Sequence, residues 1–226
     1  MSDNRSNLEN LYPFLHGNLK NPQSERAALL ESVRQKAQQS LAVKQAFFAR
    51  NTDKLVVVAE SLANVFSHGG RLFTMGNGGS HCDASHVAVE FQHPVTAGRP
   101  ALTAIDLGAD ITMMSAVGND LGFDHVYVRR LIALGQRNDA LIGLSTSGNS
   151  DNLLRAFEKA KEMGMVTIGM AGMDGGSMAK SSALDHCLVV ETDSIHRIQE
   201  CHVAIYHILW DLVHTLLADS RGELKS

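Results

Sequence analysis

Two pairs of side chains in this sequence have the residue types and spacing of a site for acid–base or metal chemistry. His86 and Glu90 are four residues apart in a segment with a helical pattern, so they share one face of the predicted helix. An imidazole and a carboxylate at that spacing can ligate one metal ion or act as a hydrogen-bonded acid–base pair. Exposed helix pairs without a catalytic role have the same spacing, so the pair alone leaves these alternatives open.

The second pair, Gln199 and His207, lies on the long helical pattern that closes the chain. At about 100° per residue, the two are about 80° apart around the helix and roughly 12 Å apart along it. Both can serve one small site only if a partner helix crosses between them or if their side chains converge. A histidine on an apolar helix is more often a core or interface residue than a ligand. His202 points away from this face, which predicts a surface or subunit contact.

A hydroxyl-rich segment, Ser145-Thr146-Ser147-Gly148-Asn149-Ser150, follows one predicted strand and precedes an amphipathic helix. Four hydroxyls around one glycine at a helix N-terminus can surround a phosphate with hydroxyl and backbone N–H donors. The alternative, a helix cap formed by Ser150 or Asn149, explains one residue but not the cluster. The segment lacks the Gly-Lys-Ser/Thr signature of a nucleotide loop and therefore favours a sugar phosphate.

Three further polar segments follow predicted strands or helices. The turn Gly76-Asn77-Gly78-Gly79-Ser80 leads into the helix of His86; its glycines allow close approach of an oxygen-rich ligand, although ordinary turn chemistry explains them equally well. Asn119 and Asp120 could contact sugar hydroxyls or cap the next helix, and capping is the preferred interpretation for Asp120. Asp174-Gly175-Gly176 is interpreted as a turn without chemistry.

An alternation of short apolar runs and helical patterns positions these segments. Apolar runs separated by helical stretches predict buried parallel strands joined by helices. The fold class is therefore α/β, a three-layer αβα sandwich with a mainly parallel five-stranded sheet, whose ligands bind at the carboxyl ends of the strands. Two amphipathic helices precede the first strand, the second with a possible cap at Thr52. The predicted strands are 71–75, 101–106, 139–145, 165–170 and 187–190.

The composition limits the classes of partner. The chain has 226 residues with a hydrophobic fraction of 44 %, which suits one compact domain. A net charge of −4 gives no indication of binding to nucleic acid or to an anionic membrane, and the expected ligand is a small molecule. Three cysteines are too few for a disulfide framework, and we find no signal peptide or membrane span, so a cytoplasmic location is expected. The polar residues 1–23 form a predicted N-terminal arm before a single domain at 24–226.

Five motifs in one order, GNGGSHCDASH, Glu90, VGND, STSGNS and RIQE-x7-H, resemble the phosphoheptose isomerases of the sugar isomerase (SIS) fold. The likeness spans about residues 50 to 218. It implies an aldose–ketose isomerase that converts sedoheptulose 7-phosphate to D-glycero-D-manno-heptose 7-phosphate, the first step of nucleotide-activated heptose biosynthesis. It also implies a homotetramer with the N-terminal helices in its core and active sites between subunits, which would bring Gln199 and His207 together.

The same resemblance assigns roles to individual residues. It implies one Zn²⁺ per site at His86, Glu90, Gln199 and His207, with Glu90 as the base and His207 as the acid. Ser145, Thr146, Ser147 and Ser150 are similar to the phosphate loop of the family. The full set of implied substrate-binding residues is Asn77, Gly78, Gly79, Ser80, Glu90, Asn119, Asp120, Ser145, Thr146, Ser147, Ser150 and Gln199.

Two positions depart from the family pattern. Pro94 stands where members usually have an arginine, and His196 where they have an acidic residue. Losing an arginine removes a strong contact to an anion or hydroxyl, and a histidine in place of a carboxylate changes the local charge. These departures keep a second interpretation open, an isomerase of another sugar phosphate. A third is a non-catalytic SIS protein that senses a sugar phosphate or binds a protein, but such relatives are expected to lose metal ligands that this chain has.

Overall fold

The computed structural model of the chain describes residues 22–222, so the predicted arm at 1–23 lies almost wholly outside the described residues. The division of the chain into two compact units falls after Gln39, and the domain start at residue 24 stays a prediction. Within residues 22–222, six α-helices and five strands follow one another as α1 (Pro22–Ser67), β1 (Leu72–Gly76), α2 (Gly79–Gln92), β2 (Ala104–Asp106), α3 (Ile111–Asp120), α4 (Val126–Leu134), β3 (Ala140–Ser145), α5 (Asp151–Glu162), β4 (Val166–Gly172), β5 (His186–Val190) and α6 (Ile195–Gly222).

The five strands form one sheet in the order β2-β1-β3-β4-β5, and every neighbouring pair is parallel. All six residues of the central strand β3 are buried, as expected for a strand covered on both faces. The predicted strands and their parallel arrangement are thereby confirmed. Because β1, β3 and β4 lie side by side, the loops that follow them meet at one edge of the sheet.

Successive side chains of the strands point to opposite faces and enter two separate hydrophobic clusters. Leu72, Ile142 and Ile168 belong to a cluster that includes residues of α1, α2 and α6. Phe73 and Leu141 belong to a second cluster, on the side of α4 and α5. A sheet with helices on both faces is the three-layer αβα sandwich that the sequence predicts.

The N-terminal helical region differs from the prediction. The expected pair of helices with a cap at Thr52 is wrong, because α1 runs without a break from Pro22 to Ser67. Thr52 Oγ1 donates instead to the carbonyl of Phe48 at 2.6 Å, and Asn51 Nδ2 donates to that of Phe47 at 3.0 Å. Side-chain bonds to the carbonyl four residues earlier allow such residues to stand inside a helix, so cap-forming residue types do not end it here.

Helix α6 is apolar for most of its length. Within the described residues, one stretch, Ile195–Ala218, is long and apolar enough to cross a membrane by length and composition, which corrects the expectation that no segment approaches a span. Its side chains Ile198, Ile205 and Leu209 are buried in the cluster on the sheet. Core helices of this kind pass the same test of length and hydropathy as membrane helices.

His202 occupies the interior of α6 and not the surface. The predicted surface or subunit contact is wrong, because its side chain has no exposed area and its Nε2 lies 3.2 Å from the carbonyl oxygen of Ala171 in β4. Burial disfavours the charged imidazolium and lowers the pKa of His202 to about 4, although the bond to Ala171 opposes that shift. His202 is therefore a neutral donor that ties α6 to the sheet.

This burial predicts acid sensitivity of the fold. Below pH 6.5 the unfolded chain protonates His202 while the folded chain does not, so stability is lost as the pH falls from 6.5 towards 4. Between pH 7 and pH 5 the loss from this one group is about 2 kcal/mol. Urea unfolding of wild type and His202→Gln at both pH values measures it, with the exposed His68→Gln as control. Equal pH dependence in wild type and His202→Gln would contradict the prediction.

Candidate active site

The turn between β1 and α2 requires its glycines. A Cβ on Gly76 would lie 2.3 Å from the carbonyl oxygen of Ser80, and Gly78 has φ +55°, the left-handed region that side chains disfavour. The chain therefore reverses tightly from the strand into α2, and Ser80 is buried in the first turn of the helix. This start fixes which residues of α2 face α6.

The two helices bring His86, Glu90 and His207 together. Glu90 Oε1 lies 3.0 Å from His86 Nε2 and 4.0 Å from His207 Nε2. The rings of the two histidines have centroids 5.1 Å apart and stand nearly perpendicular. All three side chains keep part of their surface exposed, so the cluster is open to a ligand. We call these three residues the triad.

Two further side chains of α6, Tyr206 and Trp210, form hydrogen bonds with residues of the triad. The hydroxyl of Tyr206 lies 2.8 Å from His86 Nδ1, and its ring contacts the rings of both histidines. Trp210 Nε1 donates to the carbonyl oxygen of Glu90 at 2.8 Å. Tyr206 and Trp210 were absent from the sequence-based site. Tyr206 precedes His207 directly, but its partner lies 120 residues earlier, and spacing along the chain gives no signal for that contact.

The donor set of the triad fits a divalent cation. Its two imidazole nitrogens and one carboxylate oxygen lie within 4.8 Å of one another. Two histidines and a glutamate, with a further position left for substrate or water, are the ligands of many catalytic zinc sites. A ligating histidine usually hydrogen-bonds through its second nitrogen, as His86 does with Tyr206.

Gln199 lies elsewhere in the chain's own structure. Its amide packs against Gly79, where an added Cβ would come within 2.4 Å of Gln199 Nε2. Gly79 precedes His86 by seven residues, or about 10 Å along α2. The structure thus brings together three of the four predicted ligands. Gln199 lies instead beside the first residue of α2, in agreement with its separation of eight residues from His207 on α6.

Residues 145–150 after β3, which we call the serine loop, form a cluster of hydroxyls. Ser145 Oγ lies 3.1 Å from Ser150 Oγ and accepts from the backbone N–H of Gly148, also at 3.1 Å. Ser150 occupies the N-cap position of α5, yet its side chain makes no capping bond. The capping interpretation of Ser150 is therefore wrong, and its hydroxyl is directed to the loop. Thr146 and Ser147 lie between them and are half-buried.

The turn after β4 holds the serine loop in place. Asn149 Oδ1 accepts from the backbone N–H and the hydroxyl of Ser177, at 2.9 and 3.0 Å, while its Nδ2 donates to the carbonyl of Ser147. Gly148 has φ +66°, and a Cβ there would lie 2.1 Å from the carbonyl oxygen of Gly175. The segment Asp174-Gly175-Gly176 is a turn, as predicted, and it also braces the serine loop.

A pair of side-chain amides joins the turn after β1 to the start of α5, which follows the serine loop. Asn77 and Asn152 donate to each other through both amides at 2.9 Å, and the hydroxyl of Tyr127 donates to the carbonyl of Gly76. Burial raises the pKa of Tyr127 to about 12, opposed by the bond to Gly76, so the hydroxyl stays a donor. The side chain of Asn77 is therefore hydrogen-bonded within the protein, and its amide pair with Asn152 connects the turn after β1 to the start of α5.

Asn119 and Asp120 end helix α3. Both are exposed, and Asn119 Nδ2 donates to Asp120 Oδ1 at 2.8 Å. Asp120 is the last residue of α3, and the short 3-10 helix Phe123–His125 begins without a side-chain cap, so the predicted capping by Asp120 is wrong. Their carboxylate and amide remain available at the surface for ligand contacts.

A cavity of about 390 Å³ opens beside the turn between β1 and α2. It lies at the carboxyl end of β1, the edge where parallel sheets bind ligands. Tyr127 and His81, which the sequence-based site did not include, contribute its polar atoms together with Asn77. The lining residues are Gly76, Asn77, Gly78, His81, Gly108, Ile111, Met114, Phe123 and Tyr127.

The two departures from the family pattern lie near the ends of the helices of the triad. Pro94 follows the end of α2 and is half-buried. His196 is the second residue of α6 and is exposed. Pro94 thus lies four residues after Glu90, whereas His196 lies eleven residues, or roughly 16 Å along α6, before His207. Neither departure changes the three residues of the triad.

Comparisons with known proteins agree with this architecture. The SIS domain family model matches residues 37–172. The phosphoheptose isomerase of Chlorobaculum tepidum is 41 % identical over 189 residues, which cover 83 % of this chain and 90 % of that protein.

Solved structures of similar proteins give the same result. A phosphoheptose isomerase from Francisella tularensis superposes with a TM-score of 0.78 at 30 % identity, covering 82 % of this chain and 98 % of the other. A phosphoheptose isomerase from Neisseria gonorrhoeae has a TM-score of 0.77 at 35 % identity, with 83 % and 99 % covered. The similarity therefore extends over nearly the whole of these proteins.

Proposed function

Because this chain belongs to the SIS domain family and, within it, to the phosphoheptose isomerases, we propose that it converts sedoheptulose 7-phosphate to D-glycero-D-manno-heptose 7-phosphate. The observation that carries the proposal is the meeting of His86, Glu90 and His207 on two packed helices. A base, an acid and a set of metal ligands coincide there, on helices that pack against a sheet whose carboxyl edge has the serine loop. The reaction supplies the first step of nucleotide-activated heptose formation.

The isomerisation moves one proton between adjacent carbons through an enediol. Glu90 removes a proton from C1 of the ketose, and the electron pair of that bond forms the C1=C2 double bond while His207 protonates the carbonyl oxygen at C2. Glu90 then returns its proton to C2, and His207 takes the proton from the hydroxyl at C1. The aldehyde forms at C1 and both side chains regain their starting states, so the step is balanced.

The residues that would hold a divalent metal are His86, Glu90 and His207, with zinc as the proposed ion. When bound, such an ion polarises the carbonyl and stabilises negative charge on the enediolate oxygens. Glu90 then has two tasks, as ligand and as base. Its contacts with both histidines hold the carboxylate where either task is possible.

The serine loop anchors the phosphate in this proposal. Ser145 and Ser150 face each other across the loop, with Thr146 and Ser147 between them, at the start of α5. Hydroxyl donors and the N-terminus of a helix favour a phosphate dianion. Anchoring the remote end of the substrate leaves its carbonyl end to the triad, which orients the reacting carbons.

We propose that the active protein is a cytoplasmic homotetramer whose sites lie between subunits. The position of Gln199 supports this, because within one chain it lies at Gly79 and away from the triad. A second copy can supply Gln199 as a fourth ligand. Light scattering coupled to gel filtration tests the assembly and should give four times the chain mass of 24.5 kDa.

A second candidate is an isomerase of another sugar phosphate. Pro94 and His196 favour it, because they replace an arginine and an acidic residue of the family pattern and leave the triad intact. Both candidates share the enediol chemistry and differ in the sugar that the site accepts.

One experiment separates these functions. Purified protein loaded with zinc is incubated with sedoheptulose 7-phosphate, and proton NMR follows the anomeric signals of the product heptose. New aldose signals support the proposal. Faster conversion of another ketose phosphate would favour the second candidate, and tight binding of sugar phosphates without any conversion would show a sensor instead.

A further inference from the structure

Tyr206 lies between the two histidines of the triad and is almost fully buried. Its ring centroid is 5.4 Å from that of His86 and 4.8 Å from that of His207. Its hydroxyl oxygen is 2.8 Å from His86 Nδ1, within normal hydrogen-bond distance. The ring therefore packs the site, and the hydroxyl makes a directed contact with one proposed ligand.

The direction of that hydrogen bond follows from the other nitrogen of His86. Nε2 lies 3.0 Å from Glu90 Oε1, and an ionised carboxylate can only accept, so Nε2 carries a proton in this arrangement. In the neutral imidazole, Nδ1 is then the acceptor. The hydroxyl of Tyr206 must donate to it.

A cation bound to Nε2 reverses this arrangement. The ligand atom uses its lone pair, so the proton of the neutral imidazole must reside on Nδ1. Tyr206 must then accept where it previously donated. A hydroxyl has both a donor and acceptor lone pairs and can do either, whereas a backbone carbonyl can only accept.

When Tyr206 accepts from Nδ1, its own proton points away from His86. Rotation about the bond between the ring and the hydroxyl oxygen is enough for this change, so the oxygen keeps its place beside Nδ1.

We propose that Tyr206 is a positioning residue for the metal site, whose hydroxyl changes from donor to acceptor towards His86 Nδ1 when a divalent cation binds. The inference rests on the metal centre of the proposed function. It assigns Tyr206 to the second layer of that centre, where a hydrogen bond holds the ligating imidazole in its working tautomer.

The test compares Tyr206→Phe with wild type by zinc titration against a competing chelator. Phenylalanine keeps the ring packing and removes only the hydroxyl, and we expect affinity for zinc to fall about 10- to 100-fold. Tyr127→Phe is the matched control, because it removes another buried tyrosine hydroxyl, one bonded to Gly76, and should leave zinc affinity unchanged. Circular dichroism of each variant verifies folding.

A second readout reports the tautomer directly. Nitrogen-15 NMR of His86 in the wild type should show the proton on Nε2 without zinc and on Nδ1 with zinc. In zinc-free Tyr206→Phe, the preference of the His86 proton for Nε2 should weaken, because Nδ1 loses its hydrogen-bond donor.

Two outcomes would overturn the inference in distinguishable ways. Wild-type zinc affinity in Tyr206→Phe, with an unchanged tautomer of His86, removes the role of Tyr206 and leaves the metal centre standing. Failure of the wild-type chain to bind zinc removes both the metal centre and the role of Tyr206.

Discussion

Glu90→Gln and His207→Gln should each lower the rate of sedoheptulose 7-phosphate conversion by about a thousandfold. A carboxamide cannot accept the proton from carbon, and a glutamine at 207 cannot exchange protons with the substrate oxygens. General acid–base groups contribute about 10²- to 10⁴-fold to rate, and both residues also belong to the proposed metal site. Initial rates from the NMR assay measure the effect.

Matched controls for these variants lie on helix α1 and in the turn that follows it. Glu60→Gln and His68→Gln make the same chemical changes at exposed positions and should keep the wild-type rate. Deuterium from solvent provides a second measurement, because Glu90→Gln should also stop its incorporation at the reacting carbon. Conversion at the wild-type rate in both site variants would show that the roles of base and acid are assigned wrongly.

Gly148→Ala should raise KM for the sugar phosphate at least about tenfold and destabilise the protein by about 2 kcal/mol or more. The residue has φ +66°, which costs a side chain about 1–2 kcal/mol. A Cβ there would also lie 2.1 Å from the carbonyl oxygen of Gly175, so the serine loop must move away from its brace. Steady-state kinetics and urea unfolding measure the two effects.

Gly69→Ala isolates the backbone cost from the clash. Gly69 has φ +76°, with nothing within 4 Å of an added Cβ, so the variant has the backbone cost without the clash. It should lose about 1 kcal/mol and keep KM unchanged. Equal effects of the two variants would mean that contact between Gly148 and Gly175 does not hold the serine loop.

The sheet was predictable from sequence because each buried parallel strand is a short, continuous apolar run. The run DALIGLS gives the fully buried strand Ala140–Ser145, and MVTIGM gives most of Val166–Gly172. Helix α1 was less predictable. Thr52 is a residue type that commonly begins helices, and its bond to Phe48 is visible only in three dimensions.

Site residues with contacts that are local in sequence were likewise predictable, and those with distant contacts were not. The pair His86 and Glu90 was predictable because four residues make one helical turn. The approach of His207 followed from family resemblance, since no local pattern relates it to Glu90. Tyr206 and Asn152 were missed because their hydrogen-bond partners are 120 and 75 residues away.

The order of the two helices along the chain has a consequence for biosynthesis. Helix α2 emerges early from the ribosome, whereas α6 emerges after all five strands, and the hydrogen bond from Tyr206 to His86 spans 120 residues. Long-range contacts of this kind form late in folding. A nascent chain that ends before α6 has neither His207 nor Tyr206. Partly synthesised chains therefore lack the complete triad, and premature isomerase activity is excluded until synthesis of the closing helix is nearly finished.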